Sequence, residues 1–203
     1  MNDQLLFAGM WIVFFVFHSF LASSRLKRIL QAKLLPFKYY RIGYNVFSIV
    51  SLLPVFVVYR KIEKTQLFES SYWNQAVGVL LIIISLFLWK LTFRNYSLAE
   101  FVGTDRLTKN YIQKPEFKKN GLNALVRHPL YSVSLILLTG FFLLYPNDLI
   151  LISVVLIFSY FPVGIYFEEL KMIRYFGKEY LEYKKKTPKL IPRFYKRLKL
   201  NRT

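Results

Sequence analysis

The chain has 203 residues, of which 55% are hydrophobic and 19% aromatic, yet 20% are charged and the net charge is +18. With a mean hydropathy of +0.32, this exceeds what an ordinary soluble domain carries and suits a polytopic membrane protein with basic connections. Cysteine is absent, which excludes a disulfide framework, a thiolate nucleophile, thiolate zinc and iron–sulfur ligation. The basic residues lie between and after long apolar runs, so anionic membrane lipid, not nucleic acid, is the expected counterpart.

In chain order, residues 5–22 are apolar enough to cross a bilayer, while residues 1–4 lack the basic n-region of a signal peptide. A first span with an external N-terminus is expected. His18 and Ser19 stand near its inner end, where a histidine usually hydrogen-bonds between helices. The other histidine is His128, so no metal site is expected. Residues 23–41 hold six Lys or Arg and no acid, the mark of a cytoplasmic loop. A second span, 42–59, contains Pro54 and leads through a mixed-charge loop to a third, 73–93, with Lys90 and Arg94 at its inner end.

Residues 95–126 form the longest connection, with Glu100, Asp105, Pro115 and Gly121, longer than a plain connector needs. Two further spans, 129–145 and 149–167, flank Tyr145-Pro146-Asn147-Asp148, a turn cluster that makes them a helical hairpin. Lys and Arg number six, seven and twelve in the expected inside segments and none, three and none in the outside ones, which sets the C-terminus in the cytoplasm. From 168 to 186, Leu170, Ile173, Gly177, Tyr180 and Leu181 recur at helical spacing with basic residues between them, predicting an amphipathic helix before a basic tail. The expected fold is all-α: one integral membrane domain, 1–203, of about five transmembrane helices plus this C-terminal helix.

At ~1.5 Å per helical residue, both hairpin arms extend roughly 30 Å from the turn, which brings Arg127-His128 level with Glu168-Glu169. A guanidinium, an imidazole, the Tyr131 phenol and two carboxylates thus meet at one membrane face. No glycine-rich nucleotide loop, His-Glu-x-x-His or Gly-x-Ser-x-Gly is present. Arg127 suits a carboxylate, a glutamate suits an ammonium or ribose hydroxyls, and Tyr131, Phe176 or Tyr180 suits an aromatic ring. S-adenosylmethionine carries all of these groups, although spacing alone does not single it out.

Residues 121–131 (GLNALVRHPLY), followed by 168–192 (EELKMIRYFGKEYLEYKKKTPKLIP), resemble the paired signature of membrane methyltransferases related to isoprenylcysteine carboxyl methyltransferase and bacterial phospholipid methyltransferases. The stretches HSFLAS, from His18, and RNYSLAEFVG, from Arg94, are similar to the bacterial NnrU-like branch. The resemblance implies about five spans in the bacterial inner membrane, S-adenosylmethionine bound from the cytoplasmic side, and a lipophilic small-molecule acceptor arriving from the bilayer. It implies cofactor contacts from His128, Tyr131 and Glu168, with Glu169, Phe176 and Tyr180 in support. Asn123 stands where the family often has a cofactor-contacting tyrosine, Val133 where it has glycine, and Gly164 where carboxyl methyltransferases place an arginine. The last departure argues against a prenylcysteine carboxylate as acceptor. Asn123, Arg127, His128, Tyr131, Glu168 and Glu169 are the expected cofactor-binding residues, and Val133 and Gly164 are expected to border a lateral acceptor opening. Methyl transfer from a sulfonium needs alignment and exclusion of water more than a general base, so no catalytic residue is assigned. The alternative is a non-catalytic membrane sensor or assembly protein that keeps the fold.

Overall fold

The computed structural model describes residues 2–33, 36–95, 97–107 and 117–193. The basic tail beyond Arg193 and the part of the long connection around Pro115 lie outside the described residues. Among those described, the helices are α1 (Asn2–Ala22), α2 (Ser24–Lys33), α3 (Phe37–Lys61), α4 (Tyr72–Asn95), α5 (Leu98–Val102), α6 (Pro129–Leu144) and α7 (Asp148–Lys186). Short 3-10 turns cover Thr104–Leu107 and Gly121–Ala124. α1, α3, α4 and α7 are long and apolar enough to cross a membrane, and α6 is a shorter apolar helix. The protein is therefore all-α and polytopic, as its composition implies.

Two expectations need correction. The stretch 23–41 is not a plain loop, because α2 takes up ten of its residues. Ser23 Oγ accepts from Leu26 N at 3.3 Å, and Leu26, Ile29 and Leu30 alternate with cations along α2, the composition of a helix lying on a membrane surface. The last span also does not end at Phe167: helix α7 continues past Glu168-Glu169 to Gly177, where φ 50° and ψ −124° set a kink, and a second helical piece follows to Lys186. Gly177 does not belong to a continuous apolar stripe. It breaks the helix in a conformation that only glycine adopts without strain.

Packing falls into two groups. α4 and α6 cross closely through small residues: a Cβ added to Gly78 would stand 2.9 Å from the Gly140 carbonyl oxygen, and the reverse distance is also 2.9 Å. Seven residues further along each helix, in opposite directions, fully buried Ser85 donates to the Val133 carbonyl at 3.0 Å. Small side chains let the two backbones approach, as in membrane helix pairs generally. In the second group, Phe7, Val55, Ile62 and Leu149 form a buried core between α1, α3 and α7. Ile12, Val16, Ile49, Phe56, Ile83 and Phe87 are exposed on the outside of the bundle, which is the surface lipid would cover.

At the far end of the bundle the turn between α6 and α7 is the tight reversal expected. Asn147 caps α7, its side chain accepting from Ile150 N at 3.0 Å. Asp148 accepts from Gln4 Nε2 at 3.0 Å and Thr65 N at 3.1 Å. Leu67 N donates to Pro146 O at 2.8 Å, so the loop after α3 is tied to the turn.

Candidate functional site

The opposite end carries the charged cluster. Gly121, at φ 58°, opens the Gly121–Ala124 turn, and Pro129 occupies the first turn of α6, where its missing N–H costs nothing. His128 is thereby held at the N-cap of α6 and is 4% exposed. After α7 ends, the chain returns as a strap: Arg127 N donates to Pro188 O at 2.9 Å, His128 N to Lys189 O at 3.2 Å, and Ser132 Oγ to Leu190 O at 2.7 Å.

Glu169 is the hub. Its Oε1 accepts from Arg127 Nε at 2.9 Å and Arg127 Nη2 at 2.8 Å and lies 3.2 Å from His128 Nε2, while Oε2 pairs with Lys184 Nζ at 2.7 Å. Arg127 Nη1 donates to the Lys184 and Thr187 carbonyls at 3.0 and 2.5 Å. Four of the five guanidinium N–H groups are thus engaged within the protein. Glu169 lies past the membrane-spanning part of α7. Burial pushes its pKa upward, but hydrogen bonds from Lys184, Arg127 and His128 outweigh this and hold the carboxyl at about 2.

Glu168, its neighbour, is different. It faces His128 Nδ1 at 3.5 Å with half of its side chain exposed, so it is the carboxylate with oxygen lone pairs left for a ligand. The Tyr131 ring meets the His128 imidazole edge-on at 5.8 Å and Phe161 at 4.9 Å. The structure therefore brings Arg127, His128, Tyr131, Glu168 and Glu169 together, as their spacing implied, but divides their roles. Arg127 and Glu169 bind each other and the end of α7, leaving Arg127 little to offer a ligand carboxylate.

Asn123 is 4% exposed and sits in the turn below the site, its Nδ2 3.5 Å from Arg127 O and its carbonyl accepting from Tyr183 Oη at 2.6 Å. Tyr180 is 2% exposed, and its ring packs on Phe117 at 5.3 Å beside Phe176 and Tyr183. Burial raises its phenol pKa, and the ring is part of the floor, not a free stacking surface. Val133 is 2% exposed and packed against α4, so it does not border an opening. The space at Gly164 is taken by Tyr131, whose hydroxyl would stand 3.0 Å from an added Cβ.

Lys184 and the strap are neighbours of the cluster that sequence spacing does not show. Fifteen residues of straight helix would separate Lys184 from Glu169 by about 22 Å; the break at Gly177 is what lets them meet. The one signal is the isolated glycine in a helical stretch. A recess of about 570 Å³ beyond the aromatic floor is lined by Arg94, Phe117, Lys118, Lys119 and Asn120. Its cations make it a poor host for a positively charged ligand. Among the described residues no group of three or more His, Cys, Asp or Glu is placed to hold a metal ion.

Methanethiol S-methyltransferase 1 of Bradyrhizobium diazoefficiens is 30% identical over 159 residues, which cover 75% of this chain and 54% of the relative. The chain thus spans about half the length of the curated relative it matches. No solved structure matches. Residues 5–162 match the family described as NnrU protein, a stretch that takes in His18, His128 and Tyr131 and stops short of Glu168. With that match running from α1 into the first part of α7, the chain belongs to the NnrU family.

Proposed function

We propose that the protein is a membrane methyltransferase that uses S-adenosylmethionine and a small lipophilic thiol acceptor. The observation that carries the reading is the half-exposed Glu168 carboxylate beside buried His128 and Tyr131, backed by the saturated Glu169–Arg127–Lys184 hub. This donor set fits the cofactor: Glu168, backed by buried His128, offers a carboxylate to an ammonium or ribose hydroxyls, and Tyr131 an aromatic surface for a cationic centre. When bound there, the cofactor supplies an electrophilic methyl group.

The chain's own residues do the rest. The hub fixes the ends of α6 and α7 against one another, so His128 and Glu168 keep their positions without rearrangement. Buried His128, the strap and the aromatic floor exclude water from one side, which strengthens the electrostatics inside. The thiol is favoured over other acceptors by the relative's activity toward methanethiol, stated in its name, and by Gly164, which leaves no cation to anchor a carboxylate. In this reading the site faces the cytoplasm, the N-terminus lies outside, and the basic segments rest on anionic lipid.

The test is purified protein in lipid nanodiscs with methyl-labelled S-adenosylmethionine and ethanethiol. Labelled ethyl methyl sulfide in the headspace is the expected product. Cofactor binding without any methylated thiol would remove the thiol acceptor, and no cofactor binding would remove the enzyme.

A further inference from the structure

The charged site leaves one demand of its ligand unmet. S-adenosylmethionine ends in an amino acid, with an ammonium and a carboxylate on the same carbon, so a site that holds the ammonium at Glu168 needs a cation close by. Arg127 is committed to Glu169 and to the Lys184 and Thr187 carbonyls. Lys184 is paired with Glu169 Oε2 at 2.7 Å, and buried His128 stands between the two glutamates. The nearest cation along α7 is Lys171, exposed three residues after Glu168.

Residues at this spacing are neighbours on a helix, with Cβ atoms about 5–6 Å apart, and a long side chain at the later position leans back over the earlier one. Opposite charges so placed commonly pair, and in the same helix Glu182 and Lys185 do, at 2.6 Å. Glu168 and Lys171 do not. Among the described residues Glu168 turns to His128 and Tyr131, while Lys171 Nζ lies over the Tyr175 ring at 6.0 Å, an exposed contact that holds it weakly. A carboxylate and an ammonium left open one turn apart complement a zwitterion.

Around Lys171 the field is positive, because α2, α3 and the Thr104–Leu107 turn bring Lys27, Arg41 and Arg106 together. Lys27 Nζ stands over the Tyr40 ring at 5.8 Å, and Arg41 Nε donates to the Phe101 carbonyl at 3.2 Å. Gly103, at φ 96°, lets the Arg41 stem pack against this turn, since an added Cβ would stand 2.7 Å from Arg41 Cβ. Arg106 is 5% exposed, and its N–H donates to the Gly103 carbonyl at 3.3 Å. Burial lowers the Lys27 pKa, and Arg106, Lys171 and Arg41 lower it further. Like charges gathered against their own repulsion favour an anion beside them.

We infer that Lys171 receives the carboxylate of the cofactor whose ammonium Glu168 holds, with Lys27, Arg41 and Arg106 reinforcing the positive field around it, an assignment that rests on the proposed S-adenosylmethionine reading. To do so the Lys171 ammonium leaves the Tyr175 ring and swings back over the Glu168 turn, a rotation of exposed bonds alone.

Calorimetric titration of the full chain in phosphatidylcholine nanodiscs tests this with two ligands, S-adenosylmethionine and its decarboxylated form, which keeps the ammonium, the sulfonium and the adenosine. Wild type should bind the decarboxylated form about 10-fold more weakly, the scale of one hydrogen bond to a charged group. Lys171→Gln should lose about 10-fold for S-adenosylmethionine and nothing for the decarboxylated form, and Lys171→Arg should recover most of that loss. Thermal unfolding of Lys171→Gln at or above the wild-type midpoint is expected, since one repulsive charge near Lys27 is gone. Equal wild-type affinity for the two ligands, or equal losses for both in Lys171→Gln, would overturn the carboxylate assignment while leaving S-adenosylmethionine as cofactor. So would a loss seen only in phosphatidylglycerol nanodiscs, which would give Lys171 to a lipid phosphate instead. A wild type that binds neither ligand would overturn the cofactor reading as well.

Discussion

The two ends of the bundle each tie several segments to one carboxylate, and the donors differ. At the far end Asp148 is satisfied by neutral groups, the Gln4 amide and the Thr65 and Leu149 N–H groups. At the site end Glu169 is satisfied by Arg127, Lys184 and His128, and the adjacent Glu168 is left half exposed. The far end is a clasp of local turn chemistry. The site end is a charge hub whose neighbouring residue, Glu168, is left half exposed. Glu169 has its lone pairs taken up inside the protein, whereas Glu168 meets only His128 and Tyr131 among the described residues and keeps half of its side chain exposed.

The largest expected effect separates the ends by stability. Glu169→Ala leaves Arg127, whose side chain is only 7% exposed, without its counter-ion, and breaking a buried pair in this way costs about 3–5 kcal/mol. Denaturation in detergent should show that loss, and a loss below about 1 kcal/mol would mean that the hub does not hold the site end together. Between the ends, Gly140→Leu places a side chain 2.9 Å from the Gly78 carbonyl and should cost about 1–3 kcal/mol by forcing α4 and α6 apart. Asp148→Ala loses hydrogen bonds donated by uncharged groups and strands no buried cation, and should cost about 1.5–3 kcal/mol. A far-end loss equal to that of Glu169→Ala would erase the contrast.

Acid sharpens it further. The Glu169 carboxyl is held at about 2, below its ordinary 4.5, so its contribution to stability is complete above about pH 4.5 and drains away as pH falls from there through about 2. The stability gap between wild type and Glu169→Gln should therefore narrow on acidification across that window. A gap that stays constant down to pH 2 would contradict the ion-paired state of Glu169.

Much of this was legible in the sequence because it depends on short-range rules. Apolar runs gave the spans, Pro146-Asn147 gave the turn, and equal arm lengths placed His128 level with Glu168. The rest depended on tertiary geometry. Gly177 reads as one more helical position until its positive φ breaks α7, and only then does Lys184 reach Glu169. Arg127 reads as a ligand-binding cation because its carbonyl partners, Lys184 and Thr187, are 57 and 60 residues away. Val133 looks lipid-facing by hydropathy, yet it is buried because the Gly78–Gly140 crossing draws α4 onto α6. Asn123 looks like a substituted ligand contact but supports the turn through its contacts to Arg127 and Tyr183.

The most direct test of the division between the two glutamates is calorimetric titration of S-adenosylmethionine into wild type and Glu168→Gln. The wild type should bind, and Glu168→Gln should bind about 1–3 kcal/mol more weakly, the worth of a hydrogen bond to a charged group, with its unfolding midpoint unchanged. No binding by the wild type, or equal affinity in the variant, would contradict the account.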